Sequence, residues 1–225
     1  MTSAQLDKIE KPVDLNEWAY SVLKQRILNN VYLPDTQLRV EDLAAELSVS
    51  RTPVREALLR LKMDGLVRVV SRVGFFVNGV TKKGLIELFE LRRLIECYAA
   101  EKAAVRLTDE EMSRLLRVHE KSEEAVAKKE YFKFNECETV IHDTIISCLD
   151  NEKIENILDG VRDNIYRQRM LSIEDAYNVE QSVIEHKNLI DALRSHDPEK
   201  ARHMMKKHID SVGERLISTA NLSDY

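Results

Sequence analysis

The sequence predicts a mainly α-helical protein, an N-terminal winged helix-turn-helix followed by a C-terminal antiparallel all-helical bundle. Three observations predict it. Leu, Ile, Ala, Glu, Lys and Arg abound, while 225 residues include only 6 Gly, 4 Pro and 6% aromatics, too few turn formers for an all-β sandwich or barrel. Gly65, Gly74 and Gly79 fall in one short stretch, so the hairpin signal is confined there. Elsewhere apolar residues recur at helical spacing between polar joints. Domains commonly run to about 100 to 150 residues, which favours two of them. The expected boundaries are a flexible tail over 1–14, the winged domain over 15–80 and the helical domain over 81–225.

Each element has a local cause. From Leu15, the residues Trp18, Val22, Leu23, Ile27 and Leu28 line one side of a helix that Asn29-Asn30 and Leu33-Pro34-Asp35 break. Val40–Leu47 is a short helix with Leu43, Ala44 and Leu47 inward. Ser50 is the N-cap expected for a helix starting at Arg51, and Pro53 lies in its first turn, where a missing N–H costs nothing. That helix turns Val54, Leu58 and Leu61 inward and stops at Asp64-Gly65. Leu66–Val70 and Phe75–Val77 then read as strands about a turn at Gly74. Beyond Val80 six helices are expected: Lys82–Leu107, a helix opened by the capping box Thr108-Asp109-Glu110-Glu111 and running to Lys129, then Glu130–Leu149, Glu152–Ser172, Val179–Ser195, and a last one started by Asp197-Pro198 and ending near Thr219.

Composition narrows the function classes. At 44% hydrophobic and 32% charged residues the chain is of ordinary globular character. No run approaches the roughly 20 apolar residues of a membrane span, and the N-terminus lacks the apolar core of a signal peptide, so a cytoplasmic location is expected. Cys97, Cys137 and Cys148 form no Cys-x-x-Cys, which excludes a thiolate zinc knuckle and points to reduced, structural cysteines. The net charge of −5 is uneven: residues 1–80 carry 11 basic against 10 acidic side chains, residues 81–225 carry 23 against 29. Arg51, Arg55, Arg60, Lys62, Arg68 and Arg72 concentrate positive charge between positions 51 and 72 against only Glu56 and Asp64, a local cationic patch.

The stretch Ser48-Val49-Ser50-Arg51-Thr52-Pro53-Val54-Arg55-Glu56-Ala57-Leu58 has a physical logic for double-stranded DNA. An α-helix fits the major groove and presents residues near its N-terminus to base edges; Arg51, Thr52 and Arg55 are those residues. Arginine holds guanine bidentately, Ser50, Thr52 and the free N–H groups of the helix start can take phosphate, and Arg72 beside the hairpin tip can reach phosphate or the minor groove. The alternative is a solvated basic face on a three-helix packing unit. The motif running from Ser48 to Val67, followed by a Gly-tipped hairpin, resembles the DNA-binding domain of GntR-family bacterial transcription regulators over about residues 15–80. That resemblance implies dimers reading a short palindromic operator with the recognition helix and wing. One departure stands out: Arg39-Val40-Glu41-Asp42-Leu43 puts Glu41 where the family often has a DNA-contacting arginine, and Arg39 is the substitute.

The second half holds a candidate metal site. Glu138 and His142, four apart, stack on one helix face with Phe134, Ile145 and Leu149; His186 shares a stripe with Val179, Val183, Ile190 and Leu193; His208 shares one with Ala201, Met204, Met205 and Val212. Three imidazoles and a carboxylate entering a bundle interior suit a borderline divalent ion, zinc, nickel or manganese. The alternative is interior histidines satisfied by hydrogen bonds. His119, His196 and His203 read as mixed or polar positions and are left out of the set.

The order of a GntR-like reader, the long helix with Glu90-Leu91-Arg92-Arg93-Leu94-Ile95-Glu96, an inward His142, Glu185-His186-Lys187-Asn188-Leu189 and Lys207-His208-Ile209 is similar to the FadR-like subfamily with its all-helical FCD effector-binding domain. Metal-binding members place Asp four residues before a histidine; here Glu138 replaces Asp and Ile141 replaces Phe. The resemblance also implies that Arg92 holds the carboxylate of a small organic acid beside the metal. A salt bridge to Glu96 at i+4 is the competing role. Arg162 and Tyr166 on a neighbouring helix are further candidates to line the effector pocket. The expected function is a homodimeric, ligand-responsive DNA-binding repressor, not an enzyme, controlled by a small carboxylate near a divalent metal, with zinc the first choice. The alternatives are a metal-dependent hydrolase built on the same histidines and a nonspecific architectural DNA binder.

Overall fold

The computed structural model describes residues 14–172 and 176–219. The chain divides into two compact units at Gly79/Val80. The tail expected over 1–14 lies, apart from Asp14, outside the described residues.

The first unit contains α1 (Leu15–Leu28), β1 (Gln37–Leu38), α2 (Val40–Glu46), α3 (Arg51–Met63), β2 (Val67–Val70) and β3 (Gly74–Val77). Asp14 starts α1 by accepting from the N–H groups of Asn16 and Glu17, which satisfies two donors that no helical carbonyl can reach. The inward stripe is rotated from the expected one. Ala19, Tyr20, Leu23, Ile27 and Leu28 are buried and Trp18 and Val22 only half-buried, because the Tyr20 hydroxyl has a destination inside, donating to Asp64 at 2.8 Å. Leu23, Ile27, Leu43, Val54, Leu58 and Leu61 fill the core. The strands form an antiparallel sheet in the order β1-β3-β2. Val70 faces Gly74 across the hairpin and Gln37 faces Phe76 on the other edge. β1 was missed in the sequence, since a two-residue strand has no alternation to read. Arg72 at the hairpin tip takes φ 63°, a left-handed conformation uncommon outside glycine.

The second unit is all helical: α4 (Lys82–Arg106), α5 (Asp109–Ala127), α6 (Tyr131–Ser147), α7 (Glu152–Asp159), α8 (Arg162–Ser172), α9 (Ala176–Arg194) and α10 (Pro198–Thr219). Thr81 caps α4 through the Gly84 N–H, and the Thr108/Glu111 capping box of α5 forms in full. The helix expected over Glu152–Ser172 is two helices. α7 closes at Gly160, whose N–H reaches the Asn156 carbonyl, and α8 restarts at Arg162, because glycine holds a helix together poorly. α10 packs along α4 and α9. Leu85, Phe89, Ile141, Leu189, Met205 and Leu216 are among the residues of the shared core. At Gly213 the ring of Phe89 stands 3.2 Å from where a Cβ would be, so this glycine sets how closely α10 approaches α4.

Candidate functional site

Three helices converge on the bundle centre. His142 projects from α6, His186 from α9 and His208 from α10, each on the buried stripe of its helix. One ring nitrogen of each lies within 4.8 Å of the other two. The Nε2 atoms of His142 and His186 stand 3.2 Å apart, close to the ~3.3 Å edge of a tetrahedron whose nitrogens lie about 2.0 Å from one ion.

Carboxylates fix the ring orientations. His142 Nδ1 meets Glu96 Oε2 at 2.5 Å, and His208 Nδ1 meets Glu185 Oε2 at 2.9 Å. Because each Nδ1–H donates outward, each Nε2 carries a bare lone pair. Two lone pairs in a cluster of three imidazoles leave at most one N–H to share among them, an arrangement whose ring nitrogens could hold a metal ion. The carboxylates are themselves anchored: Glu96 accepts from Arg92 Nε at 2.7 Å and Glu185 from Arg215 at 2.7 Å. Burial pushes the Glu96 carboxyl up, but Arg92 and His142 outweigh it and hold it well below the usual range. Burial pushes His142 down to about 3 despite Glu96; burial, then His208 and His142, push His186 well below its ordinary value. Neutral imidazoles are the ligand form.

Glu138 is also buried, its Oε1 3.7 Å from His186 Nδ1, and neither atom has a hydrogen-bond partner. Arg92 lies within the bundle, paired with Glu96, so the i+4 salt bridge held open by the sequence is present. Arg162 is 60% exposed and held by Asp159 and Asp143 at 2.9 and 3.4 Å, apart from the buried cluster. Tyr166 is half-buried against the cluster that holds Phe134, Met170 and Val183, and burial raises its hydroxyl pKa. His119, read as a mixed position, is buried, with its Nδ1 3.5 Å from the Ser122 hydroxyl. Sequence reasoning missed the supporting groups Glu96, Glu185 and Arg215 as such. Their signal was position: Glu96 is one turn from Arg92, and Glu185 is adjacent to His186. It also missed Arg169, Asn135 and Asn178, all buried.

In the first unit α3 begins at an exposed edge. Ser50 takes the N-cap position but its hydroxyl makes no cap hydrogen bond, so both it and the first helical N–H groups remain available. Thr52 and Arg55 are exposed, Arg51 makes a loose pair with Glu41 at 3.5 Å, and Arg39 Nε is 3.4 Å from the Gln37 side chain. The cationic patch is smaller than the composition implied. Arg60 pairs with Glu17, and Arg68 pairs with Asp35 at 2.7 Å. Arg39, Arg51 and Arg55 at the helix starts and Arg72 on the wing remain on the surface.

A three-helix unit with a hairpin wing, followed in the chain by an all-helical bundle with a polar heart, is the architecture of a winged-helix DNA-binding regulator with a second, helical domain. The family model described as "Bacterial regulatory proteins, gntR family" matches residues 15–77 and that of the FCD domain matches residues 87–211. The chain therefore belongs to the GntR family of bacterial transcriptional regulators, in the group that carries an FCD domain. It is similar to the HTH-type transcriptional regulator YdhC of Bacillus subtilis (strain 168), 27% identical over 213 residues, 93% of this chain and 94% of the relative. It is also similar to the HTH-type transcriptional repressor RspR of Escherichia coli (strain K12), 24% identical over 202 residues, 90% and 89% of the two chains. Among solved structures, a GntR transcriptional regulator from Rhodococcus sp. RHA1 has a TM-score of 0.78 at 21% identity, covering 92% of this chain and 99% of that one. E. coli McbR/YncC has a TM-score of 0.74 at 22% identity, covering 92% and 98%. At these identities the structural likeness speaks for the fold. Among the described residues no helix is long and apolar enough to cross a membrane.

Proposed function

We propose that the chain is a cytoplasmic, homodimeric repressor that reads a palindromic operator and is controlled by a small organic acid bound beside a divalent metal ion in the helical unit. The observation that carries the sensing half is the pair of carboxylate-oriented imidazoles, Glu96–His142 and Glu185–His208, closing on His186. In this reading His142, His186 and His208 hold the metal, with Glu138 as the fourth candidate ligand, and zinc is the first choice over nickel or manganese. When bound, the ion would supply a positive centre that attracts an acid's oxygen. The chain's own residues do the rest: Glu96 and Glu185 keep two rings turned, and Arg92 holds Glu96 in place. On the DNA side Arg51, Thr52 and Arg55 face the major groove, Ser50 and the start of α3 hold phosphate, and Arg39 and Arg72 flank them. Coupling requires that the acid bind one arrangement of the paired readers better than another.

The test has two readouts. Elemental analysis of the purified chain should find about one divalent ion per chain, with His208→Ala losing it. Footprinting should find a protected palindrome whose occupancy an acid changes. A metal-free protein that neither zinc, nickel nor manganese stabilises rules out the metal, and a footprint without a defined site rules out the specific reader.

A further inference from the structure

We propose that Glu41, on α2, is a positioning residue for DNA reading: it holds the Arg51 guanidinium on a guanine in the major groove and away from the phosphates, raising sequence discrimination while lowering affinity for DNA of random sequence. This rests on the reading of α3 as the recognition helix and names how one of its arginines is made selective.

The first turns of α2 and α3 meet at one edge of the unit. Glu41 is the second residue of α2 and Arg51 the first of α3, and Glu41 Oε1 stands 3.5 Å from Arg51 Nη1. The two side chains are 61% and 73% exposed, so the pair adds little to the stability of the fold. An acid in the first turn of a helix also suits the helix dipole, but that role would not need Arg51. The neighbouring arginines show the contrast. Arg60 and Arg68 are tied to Glu17 and Asp35, while Arg39 lies beside the neutral side chain of Gln37. Among the described residues Arg55 and Arg72 form no ion pair, and of the four arginines left on the reading surface Arg51 is the one with an acid against it.

An arginine at the start of a recognition helix has two destinations. Phosphate oxygens line both walls of the groove and attract it whatever the sequence, whereas guanine offers N7 and O6 to a bidentate fork. A carboxylate beside the guanidinium biases the choice twice. It is repelled by the phosphates, so the arginine cannot follow them without leaving its partner. It also occupies one edge of a group with five N–H donors and leaves a pair of them for the base. Where adenine replaces the guanine, its N6 amino group meets the guanidinium donor to donor, and Glu41 keeps the arginine from retreating to phosphate. DNA covering this edge displaces water from the pair, which strengthens an attraction that is weak at the free surface. At 3.5 Å the contact is loose enough for the fork to turn toward the base without parting from the acid.

The experiment begins with selection of bound sequences from a random duplex pool by the full chain; the base pair whose discrimination Arg51→Ala loses is the one Arg51 reads. Wild type, Glu41→Gln, Arg51→Ala and the double variant are then titrated at several salt concentrations with the selected operator, with the operator changed from G·C to A·T at that base pair, and with a scrambled duplex. Glu41→Gln should bind the scrambled duplex about threefold or more tightly, with a salt slope steeper by about one, the mark of an added phosphate contact. It should discriminate against A·T about fivefold or more less well, the lower end of what a bidentate contact to guanine supplies. Its melting should match that of the wild type, as loss of an exposed pair predicts. In the Arg51→Ala background the same change should leave discrimination untouched. Wild-type discrimination by Glu41→Gln, or weaker binding of the scrambled duplex, overturns the proposal. A loss of discrimination that persists in the Arg51→Ala background makes Glu41 a base reader in its own right and overturns the positioning role. Unchanged discrimination at every base pair in Arg51→Ala overturns the reading of α3 itself, and the proposal with it.

Discussion

Glu96 joins the stability of the helical unit to the metal affinity proposed for it, and Glu96→Gln, set beside a double variant with Arg92, separates the two. In the wild-type chain one carboxylate, 1% exposed, accepts from Arg92 at 2.7 Å and from His142 at 2.5 Å. Glutamine keeps the size but removes the charge, leaving Arg92 a buried cation without its carboxylate. Breaking a buried pair from one side costs about 3 to 5 kcal/mol; Gln can still accept one hydrogen bond, which favours the lower end. For a protein of this size about 3 kcal/mol corresponds to a fall in Tm of roughly 6 to 12 °C. The same change frees the His142 ring, and loss of such an orienting partner typically weakens metal binding about 10- to 100-fold, or about 1.4 to 2.7 kcal/mol. Melting in chelator reads the first effect; competition for zinc against a chromophoric chelator reads the second. The double variant Arg92→Met/Glu96→Leu should recover most of the melting temperature, since apolar groups of similar volume replace buried ion pairs at little cost, but should not recover zinc affinity. If Glu96→Gln melts and binds zinc like wild type, or the double variant restores both together, the account of Glu96 as the orienting partner is wrong.

Other outcomes follow from the same geometry. Arg55→Ala, at an exposed position on α3, should weaken operator binding by about 1 to 3 kcal/mol at fixed salt without altering the melting of the helical unit. Gly213→Ala should destabilise by about 1 to 3 kcal/mol, because its Cβ meets the Phe89 ring at 3.2 Å between packed helices; calorimetric melting checks this. The chelated protein should lose stability on acidification: His142 is held down to about 3 in the fold and His186 well below its ordinary value, so the unfolded chain binds the extra protons. Their contribution is present in full above about pH 6.5, the ordinary histidine value, and is lost as pH falls below it. A melting temperature flat from pH 7 to pH 4 in chelator contradicts the buried neutral histidines.

Periodicity made the helices legible, together with the capping box at Thr108 and Glu111, which forms as read; the caps at Thr81 and Asn151 were not read, although each takes the backbone N–H groups of a helix start. The break at Gly160 was not legible, because α7 and α8 share one apolar rhythm and a single glycine inside it carries no fixed meaning. The three histidines could be read as inward because each rides an apolar stripe. Their partners could not, since charges such as Glu96 and Arg169 look like surface residues until a second helix covers them. Tyr20 shows the same limit on a smaller scale: its turn inward depends on Asp64, far along the chain. Asn135 and Asn178 carry no pattern in one dimension, and only the packing of α6, α8 and α9 reveals their missing partners.

The idle hydroxyl of Ser50 has a consequence for how this protein can be improved or can drift. A cap bond at that position would be worth about 1 kcal/mol of helix stability, and the fold leaves it unmade. Selection for heat resistance alone would find this vacancy quickly, by an aspartate whose carboxylate closes the helix end. If Ser50 faces phosphate, as proposed, the same carboxylate would meet the DNA backbone with like charge. The uncapped end of α3 thus marks a position where durability and recognition pull in opposite directions, and where a stabilised descendant would stop reading DNA while still appearing well folded.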